Sequence, residues 1–391
     1  VAEDYKLDIE KDLLVKWRRF FHMHPEISGK EKDTANYIAY ILAEMGLEVR
    51  KNIAGYGLLA TLPGDDGKKC VALRADMDAL PITEKNTCMY RSQRPGWMHA
   101  CGHDAHITMV LGAAKMLKEN PPGGAVKFIF QPREEKPPGG ARDMVAAGVL
   151  QNPTVDAVFG THITTDYPVG VVAVFDGVVM AVADDFKLSI IGRGGHGASP
   201  HQTIDTIAVT AQSIEALQSI HSRRIDPTEP VVLTIGTIHG GTAQNIIPDR
   251  VDMTGTLRCL NTEVRDKVME YMHDTLHGIT SSWGASYELD YIYGYPPVVN
   301  AHELNEVVAR AARMSDLNVE IMEKPLLAGE DFSYYGMAAP AAFFFTGAGS
   351  ERCHRPWHHH SFDIEEDALP LGAKTLAHAA ALVASQDKDS G

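Results

Sequence analysis

Several features are scarce in this sequence, and each scarcity removes a class of function. No run comes near the roughly eighteen consecutive apolar residues of a transmembrane helix, so no segment reads as membrane-spanning. Positive charge is in deficit. The 36 Lys and Arg face 51 Asp and Glu, for a formal net charge of -15. A nucleic-acid or anionic-membrane partner would need a broad basic face. Only a local basic pocket for a small anion remains compatible. The five cysteines (Cys70, Cys88, Cys101, Cys259 and Cys353) are odd in number and scattered, which is not a disulfide framework. They point to a reduced, cytoplasmic setting. The stretch Val1 to Trp17 is charged and amphipathic and has no apolar signal core. The absence of an initial methionine leaves room for a leader removed ahead of Val1. The glycine-rich loop Gly192 to His201 has no P-loop lysine, so it is not read as a P-loop phosphate cradle.

What is present is an ordinary soluble composition, 45% hydrophobic and 22% charged, over 391 residues. That length exceeds one ordinary core and suggests two domains. Helical spacing predicts helices over 8–22 and 31–45. Short apolar runs then predict strands at 56–62, 70–74, 126–130 and 155–160, with a helix at 106–118 between them. From 184 the order becomes β-α-β-β-α-β, through strands at 186–191, 231–238, 251–257 and 286–293 and helices at 203–220 and 263–280. That is the order of a ferredoxin-like split βαβ unit. The expected organisation is a doubly wound α/β domain in two pieces, 1–183 and 297–391, interrupted by an inserted α+β domain at 184–296.

The chemistry centres on Met98-His99-Ala100-Cys101-Gly102-His103-Asp104-Ala105-His106. In an extended or loop backbone Cys101 and His103 project to one side, and thiolate with imidazole suits a zinc-like metal. Alone the pair is as well read as a buried cysteine beside structural histidines. Other ligand types follow at strand ends, where α/β sheets place their sites: Asp76 and Asp78, Glu134 and Glu135, and His162. A further cluster, His358 to His360, precedes the last helix. His22 and His24 read as structural. Cys101, His103, Glu135, His162 and one of His358–His360 exceed the four ligands of a closed structural zinc, and fit two divalent metals with room for water. Glu134 is placed to act as base and then acid in metal-assisted hydrolysis of a carbonyl compound. Asp78 suits the orienting of a ligand histidine.

The segments His24-Pro25-Glu26, Leu73 to Pro81, Met98 to His106, Phe130 to Glu135, Gly194 to Ala198, Gly255 to Arg258 and Glu330 to Ser333 together resemble the amidohydrolase branch of the dinuclear metallopeptidases. That branch includes aminoacylases, hippurate hydrolases and auxin-conjugate hydrolases. Thr237 to Thr242 and Asn245 to Asp249 look most like its thermostable archaeal carboxypeptidases. The resemblance implies a zinc-peptidase-like fold with an inserted dimerisation domain, hence a homodimer or higher homo-oligomer. It implies two divalent ions per chain, zinc first with manganese, cobalt or nickel as alternatives. It implies that Cys101 bridges them, that His103, Glu135, His162 and His358 complete the ligand set, and that Glu134 is the general base.

His196 matches an inserted-domain histidine that steadies the developing oxyanion, in relatives from a partner subunit. Asn245 and Arg258 are candidate substrate contacts, with a structural ion pair as the other reading of Arg258. The expected activity is hydrolysis of N-acyl amino acids or short peptides, releasing a C-terminal amino acid. Departures from the family pattern are Arg133 in place of an alanine, which would add positive charge beside the base, the polar Thr161 to Thr165 surround, the Ala328-Gly329 order, and Trp357. The other readings are a cysteine-nucleophile amidase using Cys101 and a metal-binding dimer without activity.

Overall fold

The computed structural model describes residues 7–388; the first six residues of the amphipathic N-terminal stretch lie outside these. Two compact units result. One comprises Val1–Val179, Val299–Pro325 and Asp331–Gly391, the other Met180–Val298 with Leu326–Glu330. The second unit thus begins before the expected 184 and takes in part of the returning chain. The cause is local: Ala181 N–H donates to Leu326 O and Ala328 O, each at 3.0 Å. No helix among the described residues is long and apolar enough to cross a membrane.

The first unit is built on an eight-stranded mixed sheet. Its order is Glu48–Ile53, Gly57–Leu62, Val126–Gln131, Val71–Asp76, Ala157–Pro168, Ala341–Gly349, Val171–Val174, Asn318–Ile321. The four strands from Val126–Gln131 to Ala341–Gly349 run parallel. Three of them are buried at every position, as parallel strands covered on both faces must be. That burial explains their short, mostly apolar sequences. The edge strand Glu48–Ile53 has no such signature. It is antiparallel, carries Glu48, Arg50 and Lys51, and is mostly exposed; charge on an edge discourages pairing with another chain, and it also hides the strand from a hydrophobicity reading. Helices Lys11–Met23, His103–Glu119 and Ala368–Ala384 meet at Gly112, where an added Cβ would stand 3.0 Å from both Leu14 Cδ2 and Ala373 Cβ. Glycine lets three helices approach there.

The second unit is a four-stranded antiparallel sheet, ordered Val231–Gly240, Arg250–Cys259, Val182–Ile191, Ser286–Tyr295. Helices Thr206–Arg223 and Thr262–Trp283 pack on it. Asp205 caps the first helix by accepting from Ile207 N and Ala208 N, and Asn261 caps the second by accepting from Glu263 N. Its own core includes Phe186, Leu188, Leu217, Val268, Met272 and Leu276. Each such side chain contributes about 1.5–3 kcal/mol when fully buried, so this unit has the makings of a separate core. The fold is the zinc-peptidase-like α/β sheet with a ferredoxin-like α+β insertion.

Candidate metal centre

Cys101 and His103 converge by a different route from the extended backbone expected of them. Gly102 takes the left-handed conformation, φ 87°, and His103 is already the first residue of the helix His103–Glu119. A Cβ on Gly102 would stand 2.3 Å from Ile163 Cγ2, so only glycine allows the chain to turn this closely against the strand that carries His162. The turn places Cys101 Sγ 3.4 Å from His162 Nε2. His162 lies within the strand Ala157–Pro168 rather than after it. Glu134 and Glu135 leave the loop after Val126–Gln131. His358 enters from the segment before the last helix, with φ 63°, a strained value for a side-chain-bearing residue.

Ligand-type atoms gather here in overlapping groups, each within 4.8 Å. Cys101, His103 and His162 form one group; Cys101, Glu135 and His358 form another; His103, Glu134 and Glu135 form a third. Cys101 belongs to the first two. Both ring nitrogens of His103 and Oε1 of Glu135 are buried without a hydrogen-bond partner. His103 Nδ1 is 3.7 Å from Asp78 Oδ1, and its Nε2 is 3.7 Å from Asp76 Oδ2 and 3.8 Å from Glu135 Oε1. His358 Nε2 is 3.5 Å from the same Glu135 oxygen. Unpaired buried polar atoms cost about 1–3 kcal/mol each. Their convergence, with a thiol, imidazoles and a carboxylate as donors, fits bound divalent cations.

The surrounding hydrogen bonds set which atoms face the centre. His162 Nδ1 donates to Ile163 O at 2.8 Å, leaving Nε2 as the free lone pair. Trp357 Nε1 donates to the same carbonyl at 2.8 Å, and its ring lies 4.3 Å from the His162 ring. Ile163 N donates to His106 Nε2 at 2.9 Å, so the His106 proton sits on Nδ1, which donates to Asp76 Oδ1 at 2.7 Å. Arg74 holds the other Asp76 oxygen at 2.9 Å, and also binds Gln131 and Asp331 at 2.8 Å. Arg74 and both aspartates are buried. Breaking one partner of such an ion set typically costs about 3–5 kcal/mol.

The electrostatics favour a cation. Burial pushes the Cys101 thiol well above its ordinary value, and Glu135, Glu134 and Asp76 push it the same way. Burial opposes charging His103, but the carboxylates of Asp76, Asp78 and Glu135 overcome it and raise His103 to about 10. His162 is held well below its ordinary value, first by burial and then by His106. A bound cation would reverse the bias on the thiol and release the proton from His103.

The other candidates are distributed as follows. Asp78 Oδ1 accepts from Glu134 N at 2.9 Å and Asp78 Oδ2 from Glu135 N at 3.0 Å. His196 and Asn245 share a short ribbon in the second unit: His196 pairs with Ile246, and Gly197 N donates to Asn245 O at 2.8 Å. Both side chains are exposed. Ala198 N donates to His196 Nδ1 at 3.0 Å, which leaves Nε2 as the ring's N–H donor. Arg258 Nη1 donates to Asp184 O at 2.9 Å, to Leu257 O at 3.0 Å and to Thr256 Oγ1. Arg133 does not add free charge beside the base: its guanidinium pairs with Asp143 at 2.8 Å. His22 sits between Asp104 Oδ2 at 2.8 Å and Glu84 Oε1 at 3.2 Å. Arg74, His106 and Asp331 were not assigned roles from the sequence, and Asp76 was noted only as a ligand type at a strand end. The sequence signal for Arg74 was a charge inside a buried strand.

Residues 72–382 match Peptidase family M20/M25/M40. Thermostable carboxypeptidase 1 of Saccharolobus solfataricus is 40% identical over 99% of this chain and 100% of its own length. An N-acyl-L-amino acid amidohydrolase of Geobacillus stearothermophilus is 44% identical over 76% of this chain and 80% of its own. A crystal structure from Bacillus subtilis, described as a dinuclear metal binding peptidase from the M20 family, superposes with a TM-score of 0.83 at 34% identity, covering 96% of this chain and 98% of that one.

Proposed function

The chain belongs to peptidase family M20/M25/M40 and is a metallo-amidohydrolase, and we propose that it cleaves the amide bond of N-acyl amino acids or short peptides to release a C-terminal amino acid. The observation that carries this reading is the membership of Cys101 in two ligand groups, with Glu134 beside them. Relatives named as a carboxypeptidase and as an N-acyl-L-amino acid amidohydrolase support the substrate class. Both names denote cleavage of an amide whose amine side is an amino acid.

Cys101 would be shared by two divalent ions, with His103 and His162 around one and Glu135 and His358 around the other. The donor set favours zinc, with manganese, cobalt or nickel as alternatives. Such ions polarise the scissile carbonyl and lower the pKa of water toward neutrality. Glu134 takes the proton of the attacking water on a carboxylate oxygen as the water oxygen bonds to the carbonyl carbon. It then delivers that proton to the leaving nitrogen as the C–N bond breaks. Asp78 holds the Glu134 and Glu135 peptides and faces His103 Nδ1. His196, as an Nε2–H donor, suits a developing oxyanion. Asn245 and Arg258 are candidate substrate contacts, and the local bonds of Arg258 offer it a folding role instead. A homodimer or higher homo-oligomer is part of the proposal. The buried, raised Cys101 thiol weighs against a cysteine nucleophile, which needs a lowered pKa.

The test is hydrolysis of a panel of N-acyl amino acids and dipeptides, before and after chelation and with metal restored. Loss on chelation and recovery with a divalent ion is the expected result. Activity that persists in metal-free protein overturns the metal reading.

A further inference from the structure

The loop that carries Glu134 is held at three consecutive backbone N–H groups. Asp78 takes two of them, from Glu134 and Glu135, and Ser28 Oγ donates to Asp78 Oδ2 at 2.6 Å. The third belongs to Arg133, which donates to Glu31 Oε1 at 2.9 Å; the same oxygen accepts from Gly29 N at 2.8 Å. Glu31 occupies the N-cap position of the helix Lys32–Glu44, yet makes no capping hydrogen bond. Glutamate is not among the favoured caps. This one turns away from its helix toward the base-bearing loop, and it is fully buried.

Arg133 has φ 59°, the left-handed conformation, although it carries a side chain. Its guanidinium runs to Asp143 and to Ala54 O at 3.3 Å. A strained residue persists only where its surroundings over-determine it. Here the determinants are the Arg133 ion pair on one side and the Glu31 hydrogen bond on the other. That strained turn immediately precedes Glu134.

We propose that Glu31 is a positioning residue for Glu134: its Oε1 fixes the Arg133 peptide, and with it the turn that aims the general base. This rests on the assignment of Glu134 above. Burial pushes the Glu31 carboxyl up to about 7, and Asp78 adds to the shift. Oε2 has no hydrogen-bond partner. What Glu31 supplies to Gly29 N and Arg133 N is an acceptor oxygen, and a neutral amide can supply the same oxygen.

The experiment compares Glu31→Gln, which keeps an acceptor, with Glu31→Met, which fills the space without one. In metal-loaded full-length protein, Glu31→Met should lower kcat by about 10- to 100-fold with KM changed less than about threefold, the scale of a slight misplacement of a reacting group. Glu31→Gln should stay within about threefold of wild type in both constants. Amide hydrogen exchange supplies a readout independent of substrate. The Arg133 amide should exchange at least about tenfold faster in Glu31→Met and stay protected in Glu31→Gln, since the Glu31 acceptor is lost in the former.

Wild-type kcat in Glu31→Met, or an equal fall in both variants, overturns the proposal. Should Glu31→Met fail to fold, the wild type and Glu31→Gln still decide: an Arg133 amide exchanging as an open loop in the wild type overturns the clamp, and protection in both supports it. A wild type that binds metal but hydrolyses nothing, with the Arg133 exchange pattern as expected, supports the clamp and overturns the functional reading.

Discussion

His162 and His196 show how differently the two units present a candidate histidine. In the first unit His162 is buried, its tautomer set by Ile163 O, its ring packed against Trp357 and its free nitrogen turned to Cys101. Ile163 is itself held through its N–H by His106, and His106 by Asp76. In the second unit His196 is exposed on a two-residue ribbon, and one backbone N–H at Nδ1 sets its tautomer. The first unit therefore contains a built centre, with Cys101, His103 and His162 desolvated and pre-aimed. The second unit presents an exposed donor whose orientation is set locally. Desolvation makes electrostatic interactions stronger, so the loss of turnover should be larger at the centre of the first unit than at His196.

The largest expected effect is at Glu134. Glu134→Ala should lower kcat by about 10²- to 10⁴-fold, the usual worth of a general acid–base group, while metal content and melting temperature stay near those of wild type. Normal turnover by this variant would end its assignment as the base and remove the main functional contrast between the units. Next is His196→Ala. If its Nε2–H steadies an oxyanion, kcat should fall by about 10²- to 10³-fold, with no loss of melting temperature, because the side chain is exposed. A variant that melts early but turns over normally would recast His196 as a folding residue.

A smaller effect, on stability rather than rate, belongs to the buried network behind His103. Burial and Arg18 act to lower the His22 pKa, but Asp104 and Glu84 overcome them and raise it from 6.5 to about 8. Because the folded value is the higher one, this contribution is complete below pH 6.5 and is lost as pH rises through about 8. The stability gap between wild type and His22→Gln should therefore shrink by about 2 kcal/mol over that window. Denaturant unfolding at a series of pH values measures it, and a gap independent of pH would show that His22 is not held as an imidazolium.

The same contrast governs what could be read from the sequence. The buried parallel strands announce themselves as short apolar runs, and polar residues at or near their ends proved to lie together: Asp76, Glu134, Glu135 and His162. The edge strand Glu48–Ile53 was missed because its charges serve an exposed edge. The helix at His103 was placed three residues late, since Gly102 turns the chain where an extended link was expected. Arg133 looked like a free charge beside the base because nothing in sequence pairs it with Asp143. The support around the ligands was the least legible part. Trp357 drew attention as an unexpected residue, but its bond to Ile163 O joins residues far apart in sequence. Glu31 looked like the start of a helix, and its bond to Arg133 N depends on tertiary contact alone.

If two divalent ions sit in the first unit through a shared Cys101, loss of that thiol should loosen both. Equilibrium metal titration of chelator-stripped full-length protein, beside Cys101→Ala, tests it most directly. Two ions should bind per wild-type chain, and both should bind more weakly in the variant, since each ligand group loses its thiolate. Two ions bound equally well by Cys101→Ala, or none by the wild type, would contradict it.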